Sequence, residues 1–186
     1  AVVQADVIEA MLDLLNKTKG PVLEDYPIDV PASEVHAEAT CPINFTKRTK
    51  EHTSWSERLN KELSLLLPWH ELSKQRRKGR TLTNSTINSK RESIERLANL
   101  LTAESIPPTE FTWFKEAIEE LKFFYLEAMT AQLGQPNQHA LEVIFWTDTV
   151  LGEALIECHR ILEEAGLGAM GRIIAPRHAL ELTSKK

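Results

Sequence analysis

Apolar residues at helical spacing, interrupted by proline and glycine, constrain the fold of this chain more than any other feature. Over most of the chain, apolar side chains recur every three or four residues, which is the spacing of one face of an α-helix. No segment shows the convincing alternation of a strand. The pattern therefore predicts an all-α, single-domain bundle of five to seven helices with one extended arm.

Proline and glycine divide this pattern into segments. The predicted order is a helix over residues 1–19, an extended arm over 20–52, a helical bundle over 53–176 and a tail over 177–186. Ser54 and Glu57 have the spacing of a capping box and mark the start of a helix. Pro68 is predicted to kink or end that helix, because proline lacks a backbone donor. One long helix is predicted over residues 137–165.

The arm combines apolar side chains with prolines at positions 21, 27, 31 and 42. Each proline removes a backbone hydrogen-bond donor and disfavours a helical residue before it, so no regular helix is expected there. Tyr26 and Phe45 are nevertheless too apolar for a solvated linker. We therefore expect the arm to lie over the helices of its own chain or over another subunit.

Charge, hydropathy and cysteine content limit the classes of function. The net charge of −5 argues against general nucleic-acid binding, and no run of eighteen apolar residues predicts a membrane span. The N-terminus has no basic region and indicates an amphipathic helix, not a signal peptide. Cys41 and Cys158 form no zinc or CxxC spacing and favour two free thiols in a cytoplasmic protein, while a disulfide between them stays open.

The stretch PWHELSKQRRKGRT, residues 68–81, gathers five cations in an acidic chain. They are Lys74, Arg76, Arg77, Lys78 and Arg80. Cations in the last turn of a helix complement its dipole, but this number exceeds what one helix end requires. The excess predicts an acidic partner, which is a small anion, an outside protein or an acidic side chain of this chain. The candidates within the chain are Glu24, Asp25, Glu116, Glu119, Glu120 and Glu142.

Acidic and histidine side chains on the later helices resemble a carboxylate-bridged metal centre only in their number. They are Glu127, His139, Glu142, Glu153, Glu157 and His159. The Glu-x-x-His pattern of such centres is missing from the sequence, and ion pairs on a solvated face explain these residues better. The glycines of GLGAMG, residues 166–171, follow a helix instead of a strand and indicate a C-cap. The sequence therefore predicts neither a metal nor a cofactor.

A second candidate site lies near the ends of two consecutive helices. Its residues are Tyr125, Glu127, Trp146 and Asp148. Aromatic side chains at this spacing usually belong to the core, whereas their polar neighbours are typical of a ligand pocket. Core packing and a pocket both stay open at this point.

Six fragments together resemble a family of uncharacterised bacterial proteins of about this length. They are GPVLEDYP, CPINF, LLLPWHELSKQRRKGRT, LKFFYLEAMTAQLGQP, FWTDTVLGEAL and GRIIAPR, and the resemblance extends over most of the chain. The family is associated with genes for a subunit similar to component B of glycine, sarcosine, betaine or D-proline reductases. The resemblance implies an accessory subunit and carries over no catalytic residue. RRKGRTLTNS stands where the family has a shorter, glycine-bearing connector, so the resemblance gives this stretch no role.

These patterns predict an accessory or interaction protein of a cytoplasmic complex, which binds a protein partner or a second copy of itself. The contacts are assigned to the arm and the basic segment, with charged residues Arg76, Arg77 and Arg80 and apolar anchors Trp69, Tyr26 and Phe45. The alternative is an enzyme or sensor that binds a small anionic ligand between the two longest helices. There the second candidate site would form the pocket. Whether the chain is an enzyme stays open.

Overall fold

The computed structural model describes residues 2–18, 54–132 and 138–184. Every regular element in these ranges is a helix, which confirms the all-α prediction. The chain divides into two compact units, Ala1–Val35 and His36–Lys186. The predicted arm, with Tyr26, Phe45 and Cys41, lies outside the described residues.

The first unit contains helix α1, Val2–Asp13, which continues into a 3-10 turn over Leu14–Asn16. The second unit contains seven α-helices and one 3-10 turn, Pro108–Glu110, among its described residues. The helices are α2 Trp55–Arg76, α3 Ile87–Thr102, α4 Phe111–Thr130, α5 Gln138–Asp148, α6 Val150–Glu164, α7 Gly168–Ile174 and α8 Arg177–Ser184. No helix in the described part of the chain is both long and apolar enough to cross a membrane.

Helix α2 begins at the predicted capping box. The Ser54 side chain accepts a hydrogen bond from the Glu57 backbone N–H, and the Glu57 carboxylate accepts one from the Ser54 backbone N–H. The helix continues through Pro68 without interruption to Arg76, so a helix end at Pro68, one of the two predicted effects of this proline, is wrong. Pro68 is exposed, and its ring costs this helix one backbone hydrogen bond. Burial of the opposite face of α2 offsets that loss.

The core of the second unit forms where α2 packs against α3, α4 and α6. Large side chains with less than 2 % of their surface exposed define its centre. They include Leu59, Leu63, Leu66, Ile94, Phe114, Leu121, Phe124, Tyr125, Leu151 and Leu155. These residues recur at helical spacing on each helix, so the periodicity of the sequence correctly predicts the buried faces.

The predicted long helix over residues 137–165 is wrong, because it divides into α5 and α6 at Thr149. The Thr149 side chain caps α6 by accepting a hydrogen bond from the Gly152 backbone N–H at 2.9 Å. Its hydroxyl donates to the Phe145 carbonyl oxygen at 2.6 Å. A Cβ on Gly152 would clash with that same carbonyl oxygen, so glycine is required at the junction.

The last described residues also differ from expectation. Residues 177–184, predicted as part of a tail, form α8, which packs against α5 and buries Ala179. The glycine-rich stretch before it behaves as predicted. Gly166 follows α6 with φ +75°, a left-handed conformation that ends the helix and suits glycine.

Candidate functional site

The segment that joins α2 to α3 is held by side chains of α4. We call residues 77–86 the connector, since α2 ends at Arg76 and α3 begins at Ile87. The chain leaves α2 through Lys78 (φ 56°) and Gly79 (φ 82°), and the Gly79 backbone N–H donates to the Lys74 carbonyl oxygen at 2.8 Å. This left-handed exit ends α2 and lets the chain turn into the connector.

Glu127 on α4 anchors the first half of the connector. Its side chain is 2 % exposed, yet each carboxylate oxygen accepts two hydrogen bonds. Oε2 accepts from the Thr81 hydroxyl at 2.6 Å and from His70 Nε2 at 3.1 Å. Oε1 accepts from the Leu82 backbone N–H at 2.8 Å and from Arg77 Nη1 at 3.1 Å. A buried carboxylate with four donors stays ionised at low energetic cost.

The pKa of Glu127 expresses this balance. Burial is the largest single influence and by itself would raise the pKa. The hydrogen bonds from Thr81 and the Leu82 backbone, with the electrostatic influence of the His70 ring and the charge of Arg77, outweigh burial and lower the pKa below its ordinary value. Glu127 is therefore a carboxylate at neutral pH, and it can only accept hydrogen bonds.

Glu120 anchors the second half of the connector in the same way. Its carboxylate accepts from the Ser85 backbone N–H at 2.9 Å, the Ser85 hydroxyl at 2.7 Å and the Asn84 backbone N–H at 3.2 Å. The ammonium group of Lys90, which is buried, lies 3.0 Å away. Burial again raises the pKa, but these donors outweigh it and lower the pKa to about 2. Glu120 and Glu127 are seven residues apart, so both project from one face of α4.

Glu127 also determines which nitrogen of His70 carries a proton. The Thr81 hydroxyl donates to Glu127, so the Thr83 hydroxyl, 2.9 Å from that of Thr81, donates to Thr81. The Thr83 oxygen and the Glu127 carboxylate are then both acceptors toward His70 Nε2, at 3.3 and 3.1 Å. Nε2 therefore carries the hydrogen. Burial lowers the pKa of His70, which favours the neutral ring. In that ring Nδ1 carries no proton, and its lone pair can accept a hydrogen bond.

His70 lies in the wall of a groove between α2, the connector, α3 and α4. The groove has a volume of about 410 Å³. Its apolar lining is Leu67, Ile87 and Phe124, and its polar lining is His70, Glu71, Lys74, Thr81, Thr83, Asn84, Ser85, Thr86 and Lys90. We call this cavity the connector groove.

The predicted basic segment is largely engaged within its own chain. Arg77 contacts Glu127, and Arg76 Nη1 donates to the Ala131 carbonyl oxygen at 2.7 Å. Lys74 pairs with Glu71 one turn away, and Arg80 Nε donates to the Arg77 carbonyl oxygen at 3.3 Å. The acidic partners of the segment are therefore Glu71 and Glu127, and neither was among the candidates from the sequence. Glu120, which was a candidate, pairs with Lys90 outside the segment.

The residues of the second candidate site lie in three different settings. Tyr125 and Trp146 belong to the core, where the Tyr125 hydroxyl donates to Glu62 at 2.7 Å. Asp148 is exposed at the end of α5, while Glu127 faces the connector. Trp69, the predicted partner anchor, is half-buried and packs against the core. The structure thus brings Glu127 into the connector groove region and separates it from the other three residues.

Sequence reasoning missed the most informative side chain of this region, His70. It lies only four residues before Lys74 on the same helix, and the stretch that contains both was already singled out. Glu127, an acid among the apolar residues near the end of α4, was the available signal for its partner, because buried acids require donors. Residues His70 and Glu127 are 57 positions apart, so the pairing itself depends on the fold.

Metal or thiol chemistry finds little support in the described part of the chain. Within residues 2–18, 54–132 and 138–184, no group of three or more His, Cys, Asp or Glu side chains could hold a metal ion. Cys158 is buried on α6, and burial raises the pKa of its thiol well above the usual range. A buried thiol of this kind is a poor nucleophile.

Comparisons of the chain with protein-family models, with curated proteins and with solved structures find no match. The resemblance described from the sequence therefore stays a prediction. The function has to be inferred from the chemistry of the connector groove.

Proposed function

We propose that this chain binds a small anionic ligand in the connector groove. The observation that carries the proposal is the convergence of Lys74, His70 and several hydroxyl groups on one cavity of about 410 Å³. Cavities of this size, part apolar and with a few polar groups, are typical of small-molecule sites. The site differs from the one predicted between the two longest helices, and the ligand class is the same.

Lys74 supplies the charge for the anion. Within the described parts of the chain, its ammonium group forms one ion pair, to Glu71 at 3.2 Å, and the Glu71 side chain is 52 % exposed. An exposed pair of this kind contributes at most about 1 kcal/mol, so a ligand carboxylate or phosphate can replace Glu71 at low cost. Lys90, by contrast, is buried and held by Glu120.

The connector supplies a rigid wall. Glu120 and Glu127 fix its backbone at Leu82, Asn84 and Ser85. A wall that is already ordered loses little conformational entropy when a ligand binds, which favours affinity. Such a site suits a sensor and an enzyme equally, and the proposal concerns binding.

A thermal-shift screen of the full chain with inorganic phosphate and a panel of small carboxylates tests this proposal. A ligand at about 100 times its Kd stabilises the fold by roughly 2.7 kcal/mol, which is a clear shift. The Lys74→Gln variant should lose the shift. The control variant Lys61→Gln, which changes an exposed lysine of the same helix, should keep it. No shift with any anion, or a shift that Lys74→Gln leaves intact, would contradict the proposal.

A protein partner is the second candidate function. Arg80 and Lys78 are exposed, and the side chain of Leu82, whose backbone N–H is held by Glu127, is 57 % exposed. An apolar side chain beside cations on a rigid loop suits an acidic protein surface. This candidate agrees with the accessory-subunit role and the cytoplasmic location expected from the sequence. Capture from native extract by the wild-type chain and not by an Arg80→Glu, Leu82→Ser double variant would support it, whereas equal capture would contradict it.

A further inference from the structure

The chemistry of His70 and Lys74 narrows the class of ligand. Resting on the proposed function, we propose that the connector groove takes a small 2-hydroxy acid with an apolar tail. Its hydroxyl group donates a hydrogen bond to His70 Nδ1, and its carboxylate binds Lys74.

The first step is the free lone pair of His70. Glu127 and Thr83 accept from Nε2, so Nδ1 of the neutral ring is an acceptor. Among the described residues, no side chain or backbone group donates a hydrogen bond to Nδ1, and Glu71 Oε1 lies 3.9 Å from it. A ligand atom that meets Nδ1 must therefore be a donor, and an anionic oxygen placed there would be repelled.

The second step is the position of the anion relative to that donor. The Glu71 carboxylate oxygen lies 3.9 Å from His70 Nδ1 and 3.2 Å from Lys74 Nζ. The position of the Glu71 carboxylate therefore lies between an acceptor, His70 Nδ1, and a cation, Lys74 Nζ. A ligand carboxylate that replaces Glu71 would place a substituent on the neighbouring carbon toward Nδ1, which fits a hydroxyl at position 2.

The third step separates a hydroxyl from an ammonium group, since both are donors. Lys74 and the buried Lys90 already place two positive charges on the lining of the groove, with Glu120 and Glu71 as their partners. The ligand carboxylate takes over the pairing of Lys74 from Glu71, so each lysine keeps one carboxylate partner. An ammonium group on the ligand would add a third cation beside these two lysines, whereas a neutral hydroxyl adds no charge.

The rest of the ligand meets an apolar surface. Leu67, Ile87 and Phe124 line the same groove and offer contacts to a branched aliphatic tail. 2-Hydroxy-4-methylpentanoate combines all three features and is the probe of choice. 4-Methylpentanoate is its matched control, because it differs only in the missing hydroxyl group.

Isothermal titration of the full chain with these two acids tests the inference. The hydroxy acid should bind about tenfold more tightly than the control acid, which is the effect of one hydrogen bond. In the His70→Gln variant, the side-chain amide can still donate to Glu127, but the Nδ1 acceptor is lost. This variant should bind both acids with equal affinity, and Lys74→Gln should weaken both.

Three results would overturn the inference. They are equal binding of the two acids by the wild-type chain, a preference that survives in His70→Gln, and tighter binding of leucine than of the hydroxy acid. The proposed function fails separately. If neither acid binds while inorganic phosphate still stabilises the chain in a Lys74-dependent way, the hydroxy-acid inference is wrong and the anion site stands.

Discussion

Two buried carboxylates of this protein, Glu62 on α2 and Glu127 on α4, have opposite electrostatic environments. Glu62 accepts hydrogen bonds from the Tyr125 hydroxyl and from the backbone N–H groups of Val150 and Leu151, all of them neutral donors. Burial raises its pKa despite those bonds and the nearby charge of Arg58. Glu127 has a cation and an imidazole among its donors, and its pKa is lowered.

The difference in donors matches a difference in role: Glu62 stabilises the packing of α2 against α6, and Glu127 positions the connector and His70. Glu62 supplies a cap from another helix to the start of α6, where the first backbone N–H groups have no partner within the helix. Together with the Thr149 cap, these bonds fix the start of α6 inside the segment that was predicted as one long helix. Glu127 instead holds the connector and orients His70 at the edge of a groove. Burial alone would not have distinguished the two groups, since Glu62 is 5 % exposed and Glu127 2 %.

Removal of Glu127 should have the largest effect. Glu127→Ala leaves the buried His70 ring, the Thr81 hydroxyl and the Leu82 backbone N–H without their acceptor. Each unpaired donor costs about 1–3 kcal/mol, so the free energy of unfolding should fall by about 3–5 kcal/mol. Urea denaturation measures the change. Glu119→Ala, an exposed position of the same helix, is the control and should stay within about 0.5 kcal/mol of wild type. Equal effects of both variants would contradict the role given to Glu127.

Removal of Glu62 should have a smaller effect and a different location. Glu62→Ala leaves the Tyr125 hydroxyl and the backbone N–H groups of Val150 and Leu151 unpaired, which should cost roughly 1–3 kcal/mol. Hydrogen exchange should accelerate at Val150 and Leu151 while the connector amides stay protected. If exchange accelerated equally at the Leu82 and Ser85 amides, the separation of the two roles would fail.

The contrast can be sharpened by pH. The pKa of Glu120 falls from 4.5 to about 2 in the fold, so its contribution to stability is complete above pH 4.5 and is lost as the pH falls toward 2. Glu62, whose pKa is raised, contributes fully below its ordinary pKa, and this contribution is lost as the pH rises through the raised value. The stability differences of Glu120→Gln and Glu62→Gln from wild type, measured by urea denaturation, should therefore change in opposite directions between pH 2 and 7. Parallel profiles would contradict both assignments.

Sequence signals that span only a few residues correctly predicted some of the helix ends, because residues close in sequence determine those ends. The capping box of Ser54 and Glu57 and the C-cap at Gly166 depend on residues a few positions apart, and both were predicted correctly. Pro68 shows the limit of such signals, because packing of the buried face of α2 carries the helix through it. The charge cluster was recognised as excessive, yet its partner Glu127 lies 50 residues from Arg77. Contacts at that distance require the fold.

Two arginines of the basic segment should show the smallest effects. Arg77 contacts Glu127 with a side chain that is 42 % exposed, so Arg77→Ala should cost up to about 1 kcal/mol and less at high salt. Arg80→Ala should stay within about 0.5 kcal/mol, because the one hydrogen bond of the Arg80 side chain within the described residues is to a backbone carbonyl at an exposed site. Denaturation at low and high salt separates the two variants. A larger loss for Arg80→Ala would contradict the assignment of contacts.

The proposed ligand site in the connector groove depends on the protonation state of His70, because Nδ1 has to be free to accept a hydrogen bond. Nitrogen-15 NMR of the imidazole rings measures it directly in the folded chain at neutral pH. Here Nε2 should carry the proton, Nδ1 should show the shift of a bare ring nitrogen, and Glu127→Gln should disturb both signals. A proton on Nδ1, or a doubly protonated ring at neutral pH, would contradict the account.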